Sequence, residues 1–144
     1  MIGRDLHNTL DFRRAVSPIT GTDDTAFVSQ IIDMSSLLGL TFVIMLGTLA
    51  DAAFTSTVLL EEGDASNLSD AAAVSDDDML PLGTGQEAAA AFIQTDDDAI
   101  KKISYVGTKR YVRLTITPDS NTGSLPIAVL AVGLPRIRGE ATGA

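Results

Sequence analysis

Cysteine is absent from all 144 residues. Disulfides, thiolate metal sites and a cysteine nucleophile are therefore excluded. Tryptophan is absent too, and there are only two tyrosines. That leaves little from which to build stacking platforms for sugars or bases. His7 is the one histidine; a Ser-His-Asp triad would have to use it, and it reads instead as a polar surface residue. Lys and Arg are missing from residues 15–100, a window that holds 15 of the 19 acidic residues. Nucleic-acid binding rests on cations that neutralise phosphates, so none is expected of this acidic body. No apolar run reaches the ~20 residues of a membrane helix. The longest, residues 37–50, is 14 residues long and broken by Gly39 and Gly47, so no membrane association is expected. The first 20 residues carry Arg4, Arg13 and Arg14 without an apolar run, and no secretory signal is expected there.

What is present is a chain that is 45% hydrophobic, long enough for one domain with a core of its own. The pattern predicts an all-β, antiparallel β-sandwich with an extended N-terminal arm over 1–18, the sandwich over 19–137 and a flexible tail over 138–144. Strands are predicted at 25–33, 40–47, 53–62, 100–106, 109–117 and 124–132, with a short one near 71–74. Residues 34–39 read as a turn. In 40–47, Leu40, Phe42, Ile44 and Leu46 share one face, yet the other face is also mostly apolar, which predicts a strand covered on both sides. In 109–117 the alternation is strict, with Val112, Leu114 and Ile116 facing inward. The alanine-rich stretch 87–94 reads as helix by propensity or as a strand pairing with Ile103. No alternating βα pattern occurs.

Two aspartate triplets, at 76–78 and 96–98, are candidate Ca²⁺ loops, since calcium takes six to eight oxygens. Neighbouring residues point in different directions, and the spacing of a helix-loop-helix calcium loop is missing; they read as solvated loops. Gly83-Thr84-Gly85 lacks the third glycine and apolar helix of a phosphate loop. No catalytic residue, metal or cofactor is expected. Net charge is −9, with basic residues gathered at both ends of the chain. That contrast nominates residues 1–18, above all Arg4, Arg13 and Arg14, for contact with an acidic protein surface. The cluster Tyr105-Val106-Gly107-Thr108-Lys109-Arg110-Tyr111-Val112-Arg113 reads either as a partner-binding edge or as a turn with wetted strand flanks.

Three segments carry a resemblance. The start MIGRDLHNTLDF resembles that of a group of small tailed-phage and prophage proteins. So do Ile32-Asp33, Phe42-Val43-Ile44 and Phe54-Thr55 in the middle, and the segment Tyr105 to Arg113 is similar to the group's Y-x-G-x-K/R-R-Y-V-R pattern. The closing run AVLAVGLP, residues 128–135, matches in character, whereas 64–100 is more acidic and alanine-rich than the group. The resemblance implies a jelly-roll capsid decoration or cement protein. It would be made in the bacterial cytoplasm and carried on the virion surface, bound to the major capsid protein as a homo-oligomer, with a trimer favoured over a dimer. Expected capsid contacts are Arg4, Asp5, His7, Arg13, Arg14, Lys109, Arg110, Arg136 and Arg138. Competing roles are a neck or tail-completion protein, and a receptor- or carbohydrate-binding module.

Overall fold

The computed structural model describes residues 4–136. Ten strands form two antiparallel sheets. The first holds β1 (Asp11–Gly21), β10 (Leu125–Pro135), β4 (Leu37–Leu46), β8 (Ile100–Tyr105) and β7 (Met79–Leu80), side by side in that order. The second holds β2 (Phe27–Val28), β9 (Tyr111–Asp119), β5 (Thr55–Gly63) and β6 (Ala72–Ala73), with β3 (Ile32–Asp33) also on β9. The chain passes between the sheets at six of its nine steps, and β10 returns between β1 and β4. This is the wrapping of a jelly roll.

The core lies where the two sheets' inner faces meet. Leu40, Phe42, Ile44 and Leu46 are buried from one sheet, and Val112, Leu114 and Ile116 from the other. Ile127, Val129 and Ala131 continue the first set on β10. Each fully buried side chain of the Leu, Ile or Phe type contributes about 1.5–3 kcal/mol. Phe54 and Phe92 close one side with ring centroids 5.6 Å apart, within the range of favourable aromatic pairs.

The strand positions depart from expectation in three places. Residues 11–18 are extended, but as the first part of β1, whose register with β10 runs from Asp11 opposite Gly133 to Gly21 opposite Leu125. They belong to the sandwich rather than to an arm, which shortens to residues 4–10 and holds the one-turn helix α1 (Leu6–Thr9). Pro18 fits because β1 is an edge strand with two register shifts near it. The single strand expected over 25–33 is split into β2 and β3. Ser29 exchanges bonds with Leu114 through its backbone N–H (2.8 Å) and its Oγ (2.9 Å), and Gln30 N–H turns away to Ala15 O (2.9 Å). That switch ties β1 of one sheet to β9 of the other. β4 begins at Leu37, inside the expected turn, because Leu37 is itself a core residue. Of the two readings of the alanine-rich stretch the helix is the one found, as α2 (Gln86–Ala90), and Ile103 pairs with Phe42. Glu87 accepts from Leu60 N–H at 2.7 Å, and Ser56 Oγ bonds both Phe92 N–H and Phe92 O. Side chains replace a strand there in satisfying backbone groups. The expected tail, 138–144, lies outside the described residues.

Candidate functional site

The jelly roll gathers five cations at one end, most of them paired with carboxylates. At one end β1, β4 and β9 begin and β3, β5, β8 and β10 finish. Three arginines from distant parts of the sequence converge there on the turn 33–36. Arg13 ion-pairs with Asp11 (2.7 Å) and donates to Asp33 O (3.1 Å). Arg110 forms a bidentate pair with the Asp33 carboxylate, at 3.2 and 3.1 Å, and lies 5.2 Å from the Tyr111 ring centroid. Arg136 donates to Ser35 O at 3.1 Å while its N–H bonds Ser36 O at 2.9 Å. Lys109 reaches Asp64 at 2.6 Å, and Arg113 pairs with Glu61 at 2.8 Å. Exposed pairs of this kind contribute about 0–1 kcal/mol each; what they fix is the direction of the side chains.

The remaining expected contact residues lie close by or on the first sheet. Asp5 caps α1, accepting from Asn8 N–H at 3.0 Å and from its amide at 2.9 Å. Arg4 and His7 are exposed in that same segment. Arg14 lies on β1 with its guanidinium 2.7 Å from the Gln30 side-chain oxygen. Arg138 lies outside the described residues. Arg13, Arg110 and Arg136 are thus brought together, Lys109 stands beside them, and Arg14 is apart.

The opposite end is acidic. Among the described residues Asp23, Asp24, Asp51, Asp96, Asp97, Asp98 and Asp119 meet only Lys101 there, which pairs with Asp96 at 3.1 Å. Their carboxylates mostly hold loop backbone. Asp23 accepts from Thr25 N–H, Asp24 from Asn121 N–H, Asp51 from Ala53 and Thr122 N–H, and Asp97 from Leu49 N–H at 2.6 Å. Asp76, Asp77 and Asp78 instead belong to the first end, where they form a single 3₁₀ turn and Asp78 O accepts from Val106 N–H just past the finish of β8. Among the described residues no three acidic or His side chains are grouped to hold a metal ion. The loops that read as merely solvated are therefore joints in the fold.

These joints predict acid sensitivity. Hydrogen bonds from the Thr25 side chain and backbone hold Asp23 below the usual carboxylate range, and bonds from Thr122 and Ala53 do the same for Asp51. Asp96 is lowered chiefly by Ile93 N–H, Asp70 by the N–H groups of Asp64 and Ala65, and Asp33 by Arg110. A carboxylate lowered in the fold contributes stability above its unfolded pKa of about 3.9. That contribution is lost as pH falls through the lower folded value. The melting temperature should therefore hold between pH 7 and 5 and drop steeply below about pH 4. A fall completed above pH 5 in a thermal scan series would contradict this account.

Sequence reading identified the cations but not their partners. Asp33 gathers Arg13 from 20 positions away and Arg110 from 77, separations that carry no local signal.

No family model and no curated protein matches this sequence. Among solved structures, the chain is similar to the PBSX exported protein XepA, with a TM-score of 0.55 and 11% identity. That match covers 88% of this chain and 38% of XepA, so the chain spans well under half of that protein's length. The SPBc2 prophage-derived protein YomS gives a TM-score of 0.36 at 11% identity, over 86% of this chain and 95% of YomS. The VP2 subviral particle of infectious bursal disease virus gives 0.28 at 17%, over 92% of this chain and 35% of VP2. The likeness to XepA is one of fold; the other two scores are too low to carry an argument.

Proposed function

We propose that this chain is a structural protein of a tailed-phage virion, which binds the outside of the capsid and cements neighbouring major capsid subunits. The observation that carries this reading is the convergence of Arg13, Arg110 and Arg136 on the turn 33–36 at one end of the jelly roll. The segment 4–10, Arg13, Arg110 and Arg136 stand at one end, and the aspartate-stapled loops stand at the other. Guanidinium groups held in fixed directions can pair with carboxylates of a shell, and such complementary contacts fix register. The motif that resembles phage head proteins, Tyr105 to Arg113, supports the same reading because it frames that end: Tyr105 bonds Glu62, Lys109 bonds Asp64, and Arg110 bonds Asp33. A ligand that binds only the assembled shell stabilises that shell by mass action. The fold shared with XepA agrees at the level of architecture alone.

The test is cosedimentation with emptied capsids of the virion that encodes the chain. Wild-type protein should saturate the shell at one copy per repeating surface position. Arg4→Glu combined with Arg136→Glu should weaken binding roughly tenfold, about 1.4 kcal/mol, without lowering the melting temperature. Failure of the wild type to bind would reject the reading, and saturation at a few copies per particle would move the protein to the neck.

A further inference from the structure

The two sheets differ in what they turn outward. On the second sheet the outward pairs are Glu61 with Arg113, Thr57 with Thr117, and Leu59 with Thr115. That is an ordinary wetted face. On the first sheet the outward rows are apolar along β10 and β4 except at Thr41, with polar and charged residues on the flanking strands. One row runs Phe12, Val132, Thr41, Ser104; the next runs Arg14, Leu130, Val43, Lys102; the third runs Ala128, Met45, Ile100. Met45 is 50% exposed and Ile100 is 65% exposed. The two charges, Arg14 and Lys102, sit on the flanking strands β1 and β8, so the central strands β10 and β4 present no charge at all. An open groove of about 500 Å³ beside Ile19, Met45, Pro126 and Ala128 gives the face relief into which side chains can insert.

We infer that this face is the self-association surface of the protein, and that its occupant is the same face of a second copy. The first argument is size. Three long strands and the six-residue β8, spaced ~4.8 Å apart and rising ~3.4 Å per residue, present roughly 600 Å² in projection. Side-chain relief brings this near the ~800 Å² per partner of a standard stable interface. The second argument is symmetry. An isologous contact needs one self-complementary patch, whereas a threefold ring needs two patches that fit each other. The described surface offers one apolar sheet face, and its polar counterpart on the second sheet does not complement it. The third is charge. Face against face, the uncharged centres of β10 and β4 meet each other and the cations stay at the rim, where solvent screens them. Sheets packed this way stand ~10 Å apart, as they do inside a sandwich. A pair is therefore inferred in place of the trimer that the family resemblance favoured.

Light scattering and sedimentation velocity on the full chain at micromolar concentration test this without any capsid, so the result is independent of the virion reading. The wild type should have twice the 15.1 kDa chain mass. Met45→Asp and Ile100→Asp each place a carboxylate in the apolar contact of both copies and should raise the dissociation constant at least about a hundredfold. Leu59→Asp, on the outer face of the second sheet, should leave the pair intact. If Met45→Asp lowers the melting temperature of the fold, Ile100→Asp, at the more exposed position, decides alone. A wild-type single chain, a three-chain particle, or a pair that survives Ile100→Asp would overturn the inference.

Discussion

Replacing Phe42 with alanine should lower the free energy of unfolding by about 3–5 kcal/mol. Phe42 is fully buried on β4, next to β10 and β8 and opposite Ala131 and Ile103. Its ring is held from both sides by strands that cannot close in without breaking ladders, so the cavity would persist and its cost would add to the lost transfer energy. A domain of this size has about 5–15 kcal/mol in all, so the variant should unfold at a much lower urea concentration with the denaturant slope unchanged. Thr57→Ala, at an exposed position on β5, should stay within about 0.5 kcal/mol of the wild type. Equal effects at the two positions would mean that the inner and outer faces are wrongly assigned.

The assignment of Phe42 was legible in the sequence, and the reason is physical. Leu40, Phe42, Ile44 and Leu46 keep a strict period of two because β4 runs in the middle of a sheet and its one irregularity, at Leu37–Gly39, precedes them. The same holds for Val112, Leu114 and Ile116 on β9. β1 was missed because its register shifts between Arg14 and Val16, and again between Val16 and Ile19. Each shift resets the phase, and an edge strand buries few residues to mark its inward face. Residues 64–99 resist pattern reading for a different reason. Their strands are two residues long, and their backbone is satisfied by side chains such as Asp96, Ser56 and Asp70 rather than by ladders. The apolar outward side of β4 was visible as a strand hydrophobic on both faces. What the sequence did not reveal was that nothing within the described chain covers it. The charged end was half legible: composition located the cations, while their convergence on Asp33 depends on how the jelly roll brings β1, β3 and β9 together.

The second large effect is expected at Tyr105, where two substitutions separate two contributions. The ring is fully buried on β8, and its hydroxyl donates to Glu62 Oε2 at 2.6 Å and accepts from Lys109 N–H at 2.9 Å. Burial and the neighbouring Glu62 push the phenol's pKa well above its ordinary value, so it remains a neutral donor across the accessible pH range. Tyr105→Phe keeps the ring and strands both partners, which should cost about 1–3 kcal/mol. Tyr105→Ala removes the ring as well and should cost about 3–5 kcal/mol. The hydroxyl also fixes the turn that follows. Gly107 packs so closely that an added Cβ would lie 2.6 Å from the Tyr105 oxygen and 2.7 Å from its ring carbons. A buried ring has nowhere to retreat, so Gly107→Ala should destabilise by about 1–3 kcal/mol through overpacking. In Tyr105→Ala the obstacle is gone, and adding Gly107→Ala should cost much less than it does alone, as coupled neighbours do. Urea unfolding of the two single variants and the double variant measures this coupling. Additive losses would mean that the tyrosine does not set the path of the 107–110 turn, and with it the placement of Lys109 and Arg110 at the charged end.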